Sequence, residues 1–215
     1  MIRAVSVKGL DDAAVAAAAR RLQRIDPKLA PWIRRVGPIQ LRRRSSHFAS
    51  LCGSIIAQQL STKAATTIRS RVFSGCASPT RPRPSEILAL SPTQLRAAGL
   101  SRQKAEYVHC VAEAFASGSL RRVSFAGMSD EDIIERLVQI KGVGRWTAEM
   151  FLLFSLRRPD VFSAGDGALR AALQRVEGCE LSPKECVEIA ERWRPHRTTA
   201  SLYLWQILAL PRDPL

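Results

Sequence analysis

Apolar residues along the chain recur three and four positions apart in block after block, while alternation with period two is nearly absent. This pattern predicts an all-α protein. Asp11 is placed to cap a helix over 12–25 whose Val15, Ala18, Ala19, Leu22 and Ile25 share one face, and Asp26-Pro27 stops it. A short helix is expected from Leu29 to Arg35, broken by Gly37-Pro38. From Ser46, the positions Phe48, Leu51, Cys52, Ile55 and Ile56 mark the next helix, which ends near Gln58-Gln59. Ser61 then caps another that runs through Phe73. Ser74 to Ser85, with Gly75, Pro79, Pro82 and Pro84, reads as a surface loop. Ser91-Pro92-Thr93-Gln94 is a capping box with proline at the first helical position, and Ser101 opens a helix to about Phe115. Ser129 caps a helix carrying Ile133, Leu137 and Ile140. Ser182-Pro183-Lys184-Glu185 repeats the capping pattern, and the last helix spans Thr198 to Leu210. The opening Met1 to Lys8 alternates weakly and fits a strand and a frayed arm equally well.

The 215 residues suffice for one compact unit or for two small lobes sharing a cleft. Hydrophobic residues make up 46% of the chain, yet no apolar run approaches the roughly 18 residues that span a bilayer, and the start lacks a signal-peptide pattern. A soluble, cytoplasmic protein is expected, nucleoid-associated if the source is bacterial. Lys and Arg number 33 against 19 acids, a net charge of +14. Such self-repulsion is tolerated most readily when the partner is a polyanion, with nucleic acid the leading candidate. An Arg-rich composition also arises from a GC-rich genome, so charge alone leaves the partner open. The five cysteines are odd in number, widely spaced and without a Cys-x-x-Cys pair, which predicts reduced thiols and neither a zinc nor an iron–sulfur site.

The chemistry concentrates in Leu137 to Phe154. One amphipathic helix is expected to end at Ile140, Gly142-Val143-Gly144 makes a tight turn, and a second helix begins near Arg145, so the segment reads as a helix–hairpin–helix. Two glycines one residue apart allow positive φ and close backbone approach. The amides of the turn and of the next helix then suit a phosphate oxygen. An ordinary turn between packed helices uses the same glycines; the basic Lys141 and Arg145 tilt the reading toward a DNA backbone. Further on, Asp166 stands between Gly165 and Gly167, directly before an apolar-periodic helix. As an N-cap it needs no further role. Its pairing with a phosphate-gripping hairpin makes it a candidate catalytic carboxylate.

These residues, taken with Ile55-Ile56-Ala57-Gln58-Gln59-Leu60-Ser61, Gly99-Leu100-Ser101-Arg102-Gln103-Lys104-Ala105, Asp160-Val161-Phe162 and Ala190-Glu191-Arg192-Trp193-Arg194-Pro195 through Trp205, carry a resemblance over roughly residues 45 to 208. The chain resembles the helix–hairpin–helix DNA glycosylase superfamily, most closely its alkyladenine branch of DNA-3-methyladenine glycosylase II enzymes. The resemblance implies two helical lobes with a base-binding cleft. Residues 45–144 would form a six-helix lobe, and the N-terminal helices of 1–44 would pack with a C-terminal lobe, 145–215, that carries Asp166.

It also implies the roles. Asp166 matches the catalytic aspartate, and Gly165 replaces a second carboxylate that precedes it in many relatives. Gln59 and Leu60 fall in the wedge that fills the gap left by an extruded base, although Leu60 is equally readable as core. Lys141, Gly142, Val143, Gly144, Arg145, Thr147 and Ser61 would hold phosphates. Trp146, Trp205, Met150 and Phe162 would line the base pocket, where aromatic faces favour cationic alkylated purines, although tryptophans on apolar helices also simply pack. A lysine where this chain has Trp146 marks the strand-cleaving relatives, so base removal without lyase chemistry is expected. The resemblance further implies a monomer acting on double-stranded DNA with alkylated bases. It requires no cofactor and no iron–sulfur cluster, and leaves a monovalent cation at the hairpin as an option. A catalytically silent hairpin module that only grips DNA is the competing reading.

Overall fold

The computed structural model describes residues 9–41 and 45–211, so the opening segment 1–8, read as strand or arm, lies outside the described residues. Within them the chain is helical and forms no strand. In order come α1 (Asp12–Ile25), α2 (Leu29–Val36), α3 (His47–Ala57), α4 (Thr62–Phe73), α5 (Pro84–Leu88), α6 (Pro92–Ala97), α7 (Arg102–Ala116), α8 (Asp130–Val138), α9 (Arg145–Phe151), α10 (Gly167–Glu177), α11 (Pro183–Glu191) and α12 (Arg197–Ala209). A π-helical turn, Leu152–Leu156, continues α9. The helix starts follow from short polar side chains. Asp11, Ser46, Ser61, Ser91, Ser101, Ser129, Asp166 and Ser182 each accept a hydrogen bond from the amide three residues on, an arrangement that stabilises a helix by about 1 kcal/mol.

Three details differ from the sequence pattern. Pro84, expected in a loop, instead opens α5 as its first residue, and Glu86 accepts from the amides of Arg83 (2.6 Å) and Ala77 (3.0 Å) while Ile87 is buried. The α8 helix stops at Val138, short of Ile140. The π turn had no periodic signature, because Met150 to Phe154 is an unbroken apolar run. It places Ser155 Oγ 2.7 Å from His47 Nδ1, with the His47 ring edge-on to both Phe125 and Phe151.

The described residues form two compact units, 45–156 and 9–41 with 157–211. In the first, α3 is central and packs on α4, α7, α9 and the π turn, with Leu51, Ile55 and Ile56 fully buried. The sequence reading divided the chain at the hairpin, after Gly144; the first unit runs on to Leu156 because α9 and its π turn bury their apolar side chains against α3. In the second unit α12 packs on α10, α1 and α2, around Leu22, Leu29, Leu173, Trp193 and Leu204. No described helix is long and apolar enough to cross a membrane.

Candidate functional site

The hairpin between α8 and α9 is built by two glycines in different ways. Gly142 has φ +90°, and a Cβ there would lie 2.1 Å from Tyr107 Cγ, so the aromatic side chain of α7 lies directly on the turn. Gly144 has φ −90° with open space around it, and it is the N-cap of α9. Having no side chain, it leaves the first amides of α9 without the side-chain cap that most of the other helices carry. Val143 is buried between the two. The two basic residues of the turn are exposed and engaged. Lys141 pairs with Glu106; Arg145 makes a two-pronged contact with Glu131 (2.6 and 2.9 Å) and reaches Glu149 (3.1 Å). The hydrogen bond from Arg145 holds the Glu131 carboxyl below its usual range. Exposed pairs of this kind contribute little to stability, and a phosphate can replace the carboxylate.

The turn between α3 and α4 is braced against this hairpin. Gln58 Nε2 donates to Gly142 O (3.1 Å) and to Thr147 Oγ1 (3.0 Å). Thr147 is 1% exposed, so its hydroxyl is used inside the unit and only its backbone remains for the phosphate contact assigned to it. Gln59 stands in the left-handed region at φ +55°, which costs a non-glycine residue about 1–2 kcal/mol. Leu60 is 39% exposed, which removes the reading of this side chain as core. Ser61 caps α4 through Ala64 N (3.3 Å).

In the second unit Asp166 caps α10. Its Oδ1 accepts from Leu169 N (2.8 Å) and from the indole Nε1 of Trp205 on α12 (3.3 Å), and the residue is 8% exposed. Gly165 and Gly167 on either side are exposed and meet nothing around their missing side chains. A carboxylate is therefore held by a backbone amide and a ring N–H within a loop flanked on both sides by glycine.

These features coincide with a known family. Residues 52–195, more than half of the chain, match the family described as "HhH-GPD superfamily base excision DNA repair protein". The chain belongs to this superfamily. It is 36% identical over 172 residues, 79% of this chain and 75% of the relative, to "DNA-3-methyladenine glycosylase 1" of Schizosaccharomyces pombe. It is 32% identical over 201 residues, 91% and 94% of the two chains, to the "alkylbase DNA glycosidase-like protein mag2" of the same yeast. The solved structure of S. pombe 3-methyladenine DNA glycosylase in complex with abasic DNA is similar with a TM-score of 0.83 at 31% identity, covering 93% of this chain and all, 100%, of that one.

In this HhH-GPD protein the residues assigned from sequence fall as follows. Gln59, Leu60, Ser61 and the hairpin residues from Lys141 to Thr147 belong to the first unit, as do Trp146, half-buried, and Met150, buried, one turn apart on α9. Asp166, Trp205 and Phe162 belong to the second; Phe162 is half-buried with its edge on Trp193 (6.1 Å). The motif Asp160-Val161-Phe162 also has a structural component. Asp160 is clamped by Arg194 (2.9 Å) and Arg197 (2.8 Å), which ties the loop leading to Asp166 onto the start of α12. Lys104 and Tyr107, to which the sequence assigned no role, lie against the turn between α3 and α4 and against the hairpin, respectively; their position in the Gly99-to-Ala105 motif and just beyond it was the available signal. Among the described residues no group of three or more His, Cys, Asp or Glu is placed to hold a metal ion. A monovalent cation at the hairpin would have to be held by backbone carbonyls, of which Ile140 O and Gly142 O already accept from Val143 N (2.9 Å) and Gln58 Nε2 (3.1 Å).

Proposed function

We propose that this chain is a monofunctional DNA glycosylase that extrudes alkylated purines of the 3-methyladenine and 7-methylguanine type from double-stranded DNA and hydrolyses their N-glycosidic bond, acting as a monomer without a cofactor. The observation that carries the reading is Asp166, a carboxylate held by Leu169 N and Trp205 Nε1 between two exposed glycines. As the bond to the base breaks, the sugar becomes cationic, and a fixed carboxylate near C1′ stabilises that charge more in the transition state than in the ground state. An alkylated purine already carries positive charge and departs as a neutral base. Water then bonds to C1′ and its proton passes to the Asp166 carboxylate and on to solvent. The indole bond matters here because it fixes the carboxylate before the charge develops, so no reorganisation is needed at the moment of reaction.

Base removal without strand cleavage is supported by the residue types present. Trp146 stands where the strand-cleaving relatives carry lysine, and Lys141 is occupied by Glu106 at the turn. The stacking faces of Trp146 and Trp205 suit a cationic purine.

The test is release of free base from alkylated duplex DNA, with Asp166→Asn as the variant. Asparagine is as good an N-cap as aspartate, so folding and DNA affinity are expected to hold while excision falls at least about a hundredfold. The abasic product should stay intact until alkali is added. Wild-type protein that frees no base from any alkylated or deaminated duplex would establish the silent DNA-gripping module instead.

A further inference from the structure

The α3 helix ends in a turn that has no side-chain cap and a left-handed glutamine. At its end Gln58 N reaches back to Ile55 O (3.3 Å) and Leu60 N to Ala57 O (3.1 Å). Two other carbonyls of this stretch are taken by one cation: Lys104 Nζ donates to Ile56 O (2.8 Å) and Gln58 O (2.6 Å). Lys104 comes from the first turn of α7, and burial pushes its ammonium below the usual lysine range. An ammonium half-removed from water gains by sitting at the negative end of a helix dipole and on two carbonyl oxygens. The same turn is tied on its other side by the Gln58 side chain to Gly142 O and Thr147 Oγ1. The backbone that carries Gln59 and Leu60 is thus clamped from α7 and from the hairpin, and the residue inside the clamp is the one at φ +55°. Sparsely populated backbone geometry persists only when its surroundings over-determine it.

We propose that Lys104 is a positioning residue for base extrusion: by anchoring Ile56 O and Gln58 O, its ammonium holds the Gln58-Gln59-Leu60 turn in the conformation that presents Gln59 and Leu60 to the duplex. This rests on the reading of those two side chains as the inserting wedge. Lys104 touches no reacting atom; it acts through the turn. An extrusion role and a purely structural role differ in what they do to a lesion that has no partner base, because an unpaired lesion leaves the stack with less help.

The experiment compares single-turnover excision of a site-specific 7-methylguanine paired with cytosine and the same lesion placed opposite a tetrahydrofuran abasic analogue, with a 2-aminopurine neighbour reporting extrusion. Lys104→Met keeps the aliphatic stem and removes the ammonium. It is expected to slow the paired substrate about tenfold more than the unpaired one, with a matching loss of the 2-aminopurine signal, and Lys104→Arg should recover most of the difference. Equal slowing of both substrates, or of neither, overturns the proposal. Should Lys104→Met fail to fold, Lys104→Gln, which is shorter and uncharged, is subject to the same comparison. Leu60→Ala separates the two levels. If it shows the selective loss and the Lys104 variants do not, only the role of Lys104 falls; if Leu60→Ala itself shows no selectivity, the wedge reading fails and the role of Lys104 fails with it.

Discussion

Gly142 and Gly144 stand two residues apart in the hairpin and are needed for different reasons. At Gly142 a side chain would adopt a disfavoured φ and collide with Tyr107. Strain and overpacking add here, so Gly142→Ala is expected to lower stability by about 2–4 kcal/mol. Gly144→Ala meets open space at φ −90° and should unfold at the same denaturant concentration as wild type while weakening duplex binding, because its methyl group covers the bare start of α9. Equilibrium denaturation and binding to an abasic duplex, measured on both variants, check the pair. A Gly144→Ala protein with unchanged affinity would remove the hairpin amides from the interface. At this scale the sequence was informative about residue type and silent about partners. Asp166 was legible as a helix cap from its flanking glycines and the helix that follows. That Trp205, 39 residues on, would donate to it was not, because the contact joins α10 to α12 across a packed interface.

The helices were legible where a short polar residue precedes an apolar face, since that residue bonds its own helix and needs no tertiary partner. Two elements escaped this logic. The α5 helix begins at a proline inside a proline-rich loop, and the π turn exists because an unbroken apolar run is buried on several sides. The junction of α1 and α2 shows how an element boundary becomes a hub. Asp26-Pro27 read as a stop signal; in the structure Asp26 is 1% exposed, accepts from the amides of Lys28 and Leu29 (3.0 Å each), and takes Trp193 Nε1 (2.6 Å) and Arg192 Nε (2.9 Å). It therefore caps α2 and secures the segment after α11 to the N-terminal helices. Removing it leaves the buried indole N–H of Trp193 unsatisfied and takes one of two carboxylates from Arg192, which is exposed and keeps its pairing with Glu177. Asp26→Ala is expected to cost about 2–3 kcal/mol, read as a lower Tm, with the excision rate per folded molecule unchanged at low temperature.

For the molecule as a whole, the charge of +14 sets an electrostatic attraction to DNA that weakens steeply with salt, while stability against pH follows from groups that differ between the folded and unfolded chain. Hydrogen bonds from backbone and side-chain donors hold Glu86, Glu131, Asp132, Glu185 and Glu191 below their usual values of 4.5 or 3.8. The unfolded chain takes up these protons first as pH falls, so their contribution is complete above about 4.5 and lost below it. At the other end, burial pushes the Cys52 thiol well above 9.0. The unfolded chain ionises first there, and stability falls as pH rises past 9.0. Thermal unfolding across pH should give a plateau between these limits that drops on both sides, and Cys52→Ala should flatten the alkaline side. What the sequence by itself determined is whatever depends on a residue and its near neighbours: helix starts from serine and aspartate caps, the helical period of the apolar positions, the glycine turn of the hairpin, and the family to which this order of motifs belongs. What only the tertiary structure decided is what depends on contacts between residues far apart in the chain. These are the extension of the first unit to Leu156, the exposure of Leu60, the contacts of Lys104 with the turn between α3 and α4, and the indole on Asp166. Such contacts depend on how helices come to lie beside one another, and no short stretch of chain carries that information.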